Sequence, residues 1–451
     1  VSEFRKTDFH ATSYREPTAD TSPRPDKAPH SDDALNNASA SRGARTSDFA
    51  RAANEAAHIL EPTGDAKAYA IEQQVYARLT GVIDPELGRS IVDMQMVTGI
   101  DAQLRPADSD LDRPVQAGPN DDVYDVTIRL ELTVSGCPLT EKILSDMQQA
   151  VQTYPDAILV PRISVSAMSK EKLSGLVERL RQARRENPFA PKDGSSPDTL
   201  IIAVASGKGG VGKSAVAANL AATFAALGYK TAAIDADIYG FSLPGIFGVR
   251  SRPTDLDGML MPVDAWGVKL MSIGMFAGSD QPILWRGPRL QRSLQQFLSD
   301  VWWDNPQVMV LDLPPGTGDM SISVAQMLPS ARILVVTTPQ PSASSIAVRA
   351  GLSTLQLPGK VAGVVENMAW YEHNGERLRI FGEGGGARVA QSLTQQVGYP
   401  VELLAQLPLD TEIRTVAEAG RPAVLTADGS LADTELARSF VRMARSLWQS
   451  Q

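Results

Sequence analysis

The chain has 451 residues, 43% hydrophobic and 21% charged, a globular balance with room for two or three domains. Its formal net charge of −9 argues against wholesale electrostatic binding of nucleic acid, and its single cysteine, Cys137, excludes an internal disulfide framework or a four-cysteine metal site within one chain. No apolar run is long enough to span a bilayer and the N-terminal residues carry no signal-peptide core, so a cytoplasmic protein with no stable membrane anchor is expected.

Residues 1–65 are rich in Ser, Ala, Asp, Pro and Arg and poor in large apolar side chains. They cannot bury enough surface to offset ordering entropy, so a disordered tail is expected, with at most a short helix over Asp48–Leu60. Residues 66–186 read as a small α+β domain. Ile71, Val75, Leu79 and Val82 recur at helical intervals ahead of Pro85. "SIVDMQMVTGIDAQL" and "YDVTIRLELTV" read as strands; Val126, Ile128, Leu130 and Leu132 alternate, so one face is buried. An acidic loop separates them. A helix then opens with Pro138 in its first turn, "AILVPRISVSA" is a strand, and a last helix starts at a Ser169 cap. Asp84 and Glu86, in "VIDPELG", have an open role that capping and turn formation explain adequately.

Residues 187–198, "NPFAPKDGSSPD", form a Pro/Gly/Ser linker. From 199 to 451 strands and helices alternate. The apolar runs "TLIIAVAS", "KTAAIDAD", "VKLMSIGMF", "VMVLDLPPG", "RILVVTTP" and "VAGVVENM" suit a parallel sheet covered on both faces. The expected fold class is therefore α/β, a doubly wound, mostly parallel sheet, preceded by the small α+β domain. The stripe Leu436, Phe440, Met443 and Leu447 in the last helix fits core packing better than a membrane-surface anchor.

The first of these strands runs into Gly207-Lys208-Gly209-Gly210-Val211-Gly212-Lys213-Ser214. Glycines at these positions let backbone N–H groups wrap a phosphate chain, and the following helix adds its positive end. Lys213 can neutralise the β and γ phosphates of ATP and Ser214 can ligate Mg²⁺. Asp312 ends an apolar strand, where an acid holds the metal through water, and Pro314–Asp319 is a Gly/Pro turn placed to sense the γ-phosphate. Asp319 serves equally well as a helix N-cap. Asp235 and Asp237 close another strand; the first can support the metal shell and the second can orient an attacking water.

Lys208 is a second lysine inside the loop, and the pattern x-K-G-G-x-G-K-S resembles the deviant phosphate loop of the MinD/ParA/nitrogenase-iron-protein ATPases. That resemblance implies a Lys208 that reaches the phosphates of a facing subunit, so that hydrolysis depends on an ATP-sandwich homodimer. "DADIYGFSLPGIFGV", "ILWRGPRLQRSLQQFLSDVWWDN", "LDLPPGTGDMSISVAQMLPSARILVVTTPQ" and "VVENMAWY" together resemble the Mrp (ApbC-type) iron–sulfur carrier ATPases over nearly all of residues 199–451. "VIDPELGRSIVDMQMV" and "LTVSGCP" resemble the small iron–sulfur-assembly domain that often precedes them. The resemblance implies a homodimeric ATPase that binds an iron–sulfur cluster and passes it to apo-proteins or receives it from cluster-assembly proteins. It places Asn367 at the adenine base and Pro408 near the base-stacking segment.

One departure stands out. Family members that hold a cluster between subunits use a C-x-x-C pair shortly after the E-N-M segment, whereas here "ENMAWYEHNGERLRIFGEGGG" has no cysteine and offers only Glu372, His373, Glu376 and Glu383. Cys137 remains, next to a helix start that favours thiolate. It is a cluster ligand shared between two chains, a participant in cluster transfer, or a small buried hydrophobe capping a turn. The alternatives to a carrier are an ATP-switched scaffold without a cluster and a MinD-like membrane-cycling ATPase.

Overall fold

The computed structural model describes residues 65–106, 122–133, 140–151, 157–182, 199–237, 240–276, 294–316, 326–353 and 360–450, which belong to one compact unit, His58–Gln451. Residues 1–64 of the expected tail, the linker, residues 107–121 of the acidic loop, Cys137, Pro138, the W-R-G-P stretch and Asp319 lie outside these residues.

Helix α1 (Ala66–Leu79) starts where Asp65 Oδ1 accepts hydrogen bonds from the amides of Lys67 and Ala68, and it buries Ile71, Val75 and Leu79. It ends six residues before Pro85, because the chain turns at Thr80–Gly81 and Ile83–Asp84 then pairs antiparallel with Arg89–Ser90. Strands β1 (Val97–Leu104), β2 (Val123–Leu132) and β3 (Ile158–Ala167) form a sheet in that order, β1 antiparallel and β3 parallel to β2. The expected strand over 90–104 is shorter than its apolar run; residues 91–95 are turns, closed by Met94 N–H on the Ser90 carbonyl at 3.0 Å. The alternating Val126, Ile128, Leu130 and Leu132 are buried as the pattern requires. Helices α2 (Thr140–Val151) and α3 (Lys170–Gln182) flank β3, and the Ser169 hydroxyl caps the Lys172 amide at 3.3 Å.

The larger sheet is built from β4 (Leu200–Ser206), β5 (Thr231–Asp235), β6 (Val263–Ala265), β7 (Val268–Ser272), β8 (Val308–Asp312), β9 (Arg332–Thr337), β10 (Lys360–Glu366) and β11 (Leu403–Gln406). Their order is β6-β7-β5-β8-β4-β9-β10-β11, parallel throughout except for the antiparallel edge pair β6/β7. This is the mixed α/β, mostly parallel sheet that the apolar runs imply. β6 and β11, of three and four residues, are too short to register as apolar runs. Successive residues of β4 feed opposite cores: Ile201, Ala203 and Ala205 join Leu311, Val389 and Leu393, while Leu200, Ile202 and Val204 join Leu220 and Phe224.

Helices α4 (Lys213–Ala226), α5 (Pro341–Ser353), α6 (Gly385–Val397), α7 (Thr411–Glu418) and α8 (Glu435–Gln449) complete the fold. In α8, Leu436, Phe440, Met443 and Leu447 lie within the second core, so the stripe that an anchor would need is already covered.

Candidate active site

Parallel strands bring their C-terminal ends to one edge, where ligand crevices form. Register sets which side chains meet there: Asp312 of β8 pairs with Asp235 of β5 on one side and with Val204 of β4 on the other. β4 leads into the glycine loop, and α4 starts at Lys213 with Gly212 in left-handed backbone, φ 82. The loop is clamped at its ends and open in its middle. A Cβ on Gly207 would sit 2.5 Å from the Ala347 nitrogen in α5, and one on Gly212 would run into Asn367 Nδ2. One on Gly209 or Gly210 would meet nothing within 4 Å, which is where phosphates would lie.

The Lys213 ammonium is buried and folded onto Asp312 Oδ1, with Ser214 Oγ at 3.3 Å. Asp312 Oδ2 is buried without a hydrogen-bond partner. Burial pushes the Asp312 carboxyl up, and the Lys213 charge only partly offsets this. An orphaned carboxylate oxygen in the same cluster as a serine hydroxyl and a lysine fits a hard divalent cation with phosphate oxygens.

Asp235 is fully buried and committed to backbone. Its oxygens accept from the amides of Asp237 (3.2 Å), Ser242 (3.0 Å) and Leu243 (3.1 Å) and from the Ser272 hydroxyl (3.3 Å). Burial, and then the Asp312 charge, raise its carboxyl to about 7. Asp237 is buried too and accepts from the Gly240 amide at 3.1 Å, with its charge close enough to act on Asp312. Asp235 thus fixes the loop that carries Asp237. Ser272 was not readable as a site residue; the sequence shows it only as the last position of β7.

Lys208 is half-buried and donates to Gln340 Oε1 at 3.3 Å, just before α5. Nothing in "TTPQP" beyond a strand end followed by a helix-starting proline marks Gln340. Asn367 Nδ2 donates to the Val211 carbonyl at 2.9 Å, tying the end of β10 to the glycine loop. Pro408 lines a cavity of about 530 Å³ with Trp370, Leu409, Asp410, Ile413 and Arg421. Of the turn after β8, Pro314 to Gly316 is described; the Gly316 amide donates to the Ser206 carbonyl at 2.7 Å, so that turn starts against the glycine loop.

After Asn367 the chain forms a hairpin, Tyr371–His373 against Glu376–Leu378. Arg377 lies 4.4 Å over the Trp370 ring and pairs with Glu435 at 2.9 Å, and Glu383 pairs with Arg379 at 3.0 Å. Among the described residues, no three His, Cys, Asp or Glu side chains converge to hold a metal.

A strand, a glycine loop open at its middle, a helix, and a buried lysine on a strand-end aspartate together define a P-loop NTPase. The family model for the NUBPL iron-transfer P-loop NTPase matches residues 199–447, and the chain belongs to that family. A second model, the iron-sulfur cluster assembly protein family, matches residues 72–104. The chain is 43% identical to the iron-sulfur cluster carrier protein of Mycobacterium leprae (strain TN) over 375 residues, 83% of this chain and 93% of that protein. It is 48% identical to the protein of that name from Bacillus subtilis (strain 168) over 212 residues, 47% of this chain and 58% of that one. Among solved structures, a nucleotide-binding protein from Archaeoglobus fulgidus in complex with ADP is 33% identical, with a TM-score of 0.41, covering 49% of this chain and 87% of that one. The Pyrococcus furiosus cell division ATPase MinD is 23% identical, with a TM-score of 0.42, covering 56% and 99%. No helix among the described residues is long and apolar enough to cross a membrane.

Proposed function

We propose that the chain is an ATP-hydrolysing iron–sulfur cluster carrier that works as an ATP-sandwich homodimer and hands clusters to apo-proteins. The observation that carries the nucleotide half is the buried Lys213–Asp312 pair beneath an open glycine loop. The carrier half rests on the identity to proteins named for that role over most of both chains.

Gly207 to Ser214 would wrap the phosphates, with the loop amides and Lys213 on the β and γ groups. Ser214, and Asp312 through water, would hold magnesium, which would supply charge neutralisation to the phosphate oxygens. Asp237 orients a water whose oxygen bonds to the γ-phosphorus as the bond from that phosphorus to the β–γ bridging oxygen breaks; the water's proton passes to the departing phosphate, and ADP and phosphate leave. Asp235 acts by holding the Asp237 loop. Lys208 leaves Gln340 and compensates charge on the facing subunit's phosphates. Asn367 steadies the glycine loop and borders the base, and the cavity beside Pro408 has room for part of the nucleoside. Hydrolysis relaxes the Pro314–Asp319 turn and opens the dimer.

For the cargo, a four-sulfur site needs thiols that one chain does not supply. Cys137 from two copies, completed by ligands from elsewhere, is the arrangement we propose. The domain limits in this reading are 66–186 for the small domain and 199–451 for the ATPase. The deciding test is iron and sulfide content after anaerobic reconstitution of the wild type and Cys137→Ala. About one cluster per wild-type dimer and none in the variant supports the carrier. No iron in either, with MgATP still bound, favours the second reading, an ATP-switched scaffold, which the cysteine-free hairpin after Asn367 also suits.

A further inference from the structure

The D-P-E-L-G stretch of the small domain has no part in the nucleotide site, yet its aspartate is buried and hydrogen-bonded within its own turn. Asp84 is 4% exposed, and its Oδ1 accepts from the Glu86 amide at 2.8 Å and the Leu87 amide at 2.9 Å. Its carbonyl accepts from the Gly88 amide at 2.8 Å, and Gly88 takes left-handed backbone, φ 65. The carboxylate therefore faces into the turn, and the carbonyls of Glu86 and Leu87 face out.

Both outward carbonyls meet donors from the larger sheet's half. Lys269 Nζ, from β7, donates to the Glu86 carbonyl at 3.2 Å. Trp302 Nε1 donates to the Leu87 carbonyl at 2.9 Å, within a buried contact. A Cβ on Gly88 would lie 2.5 Å from Asp304 Oδ2, which is itself held by Lys230 at 3.1 Å. Arg89 lies 5.9 Å from the Trp302 ring. The Lys269 ammonium is largely buried; Asp304, Asp264 and Glu86 face it with opposite charge and Lys230 with like charge. A second contact fixes the angle: Ser174 Oγ donates to Asp257 Oδ2 at 2.7 Å, and Arg181 Nη2 donates to the Asp257 carbonyl at 3.0 Å.

We propose that the Asp84–Gly88 turn is a docking plug that seats the small domain on the ATPase, with Lys269, Trp302 and Asp304 as its socket. Asp84 shapes the plug by accepting the Glu86 and Leu87 amides. Glycine at 88 is required twice, by its backbone angle and by the approach of Asp304. The inference stands on the contacts alone and holds whether or not the chain carries a cluster.

The test uses the full chain in a Cys137→Ser background, with spin labels on cysteines replacing the exposed Lys170 and Arg252, and reads the distance between them. Wild type gives one narrow distance. Lys269→Met with Trp302→Phe removes both donors while keeping their apolar bulk. Each hydrogen bond is worth about fivefold, so the docked-to-undocked ratio falls roughly 25-fold and a broad, longer population grows in. Asp84→Ala does the same without touching the socket, whereas Asp84→Asn, which keeps the acceptor oxygen, stays narrow. MgATP binding shows that each variant's ATPase half is folded. A wild type that is already broad, or donor-less and Asp84→Ala variants as narrow as wild type, overturns the plug. An Asp84→Asn variant that behaves like Asp84→Ala overturns the assignment of Asp84 as a turn former.

Discussion

Replacing Lys213 with Met should destabilise the nucleotide-free protein in a pH-dependent way. The Lys213–Asp312 pair is 6% and 0% exposed, and the second oxygen of Asp312 already has no partner. Removing the lysine leaves a buried carboxylate with no compensating charge, a change that costs about 3–5 kcal/mol. In a cooperative unit of roughly 250 residues each kcal/mol moves the midpoint by about 2 °C, so Tm should fall by about 6–10 °C. Asp312 then escapes by taking up a proton. Its folded pKa is raised above the unfolded 3.8, so the native state binds the extra proton, and the associated stability is present at low pH and lost as pH rises through the folded value. The Tm deficit should therefore be smaller near pH 5 than near pH 8. Adding Asp312→Asn removes the stranded charge and should recover at least half of the loss. Thermal unfolding without nucleotide at both pH values checks this. A single variant within about 2 °C of wild type, or a double variant no better than the single, refutes the account of a charge-compensated pair.

Asp235, held up to about 7 by burial and then by Asp312, contributes stability that is full below the unfolded 3.8 and lost as pH rises through about 7. The wild-type Tm should decline across that window, and Asp235→Asn should flatten the decline in the same unfolding series. Gly207→Ala forces backbone against Ala347, so nucleotide affinity measured by calorimetry should drop at least tenfold while the circular dichroism spectrum is unchanged. Phe440→Ala empties a 2%-exposed site in the second core and should cost about 3–5 kcal/mol in denaturant unfolding; retention of full stability would mean that α8 is not part of that core.

What could be read from the sequence was whatever is local. The glycine loop, the strand-end positions of Asp235 and Asp312, the Ser169 cap and the α8 stripe each follow from neighbours within a few residues. What could not be read depends on contacts between distant parts of the chain. Lys208 meets Gln340 across 132 positions, and Asn367 meets Val211 across 156. No periodicity or spacing encodes such pairs; they arise because neighbouring parallel strands deliver their ends to one edge. Asp235 shows the limit most clearly. Its place at the crevice was legible, but its four donors come from 237, 242, 243 and 272, and only the fold shows that they occupy both oxygens. The turn at Asp84 was legible as a turn, and its docking role was not, because Lys269 and Trp302 lie 183 and 215 positions away.

The contact between Lys208 and Gln340 makes a last prediction about dimer formation. In one chain the lysine is held by a neutral amide oxygen at 3.3 Å, at a half-buried position. To act across a dimer it must give up that bond, so the competent rotamer is only a fraction of the population, and apparent dimer affinity is reduced by that fraction. A hydrogen bond from a charged donor is worth about 1.5–3 kcal/mol when buried, and less at a site that water reaches. Gln340→Ala removes the acceptor and should tighten ATP-dependent dimerisation by up to about tenfold. It should leave nucleotide affinity of the single chain unchanged, because the Gln340 side chain is hydrogen-bonded to Lys208, whereas Lys213 is bonded to Ser214 and Asp312. Sedimentation velocity with MgATP and a hydrolysis-deficient Asp237→Ala background separates the two effects. If dimerisation is unchanged, Lys208 is not held back by Gln340; if it weakens, the amide supports the lysine's outward pose instead of opposing it.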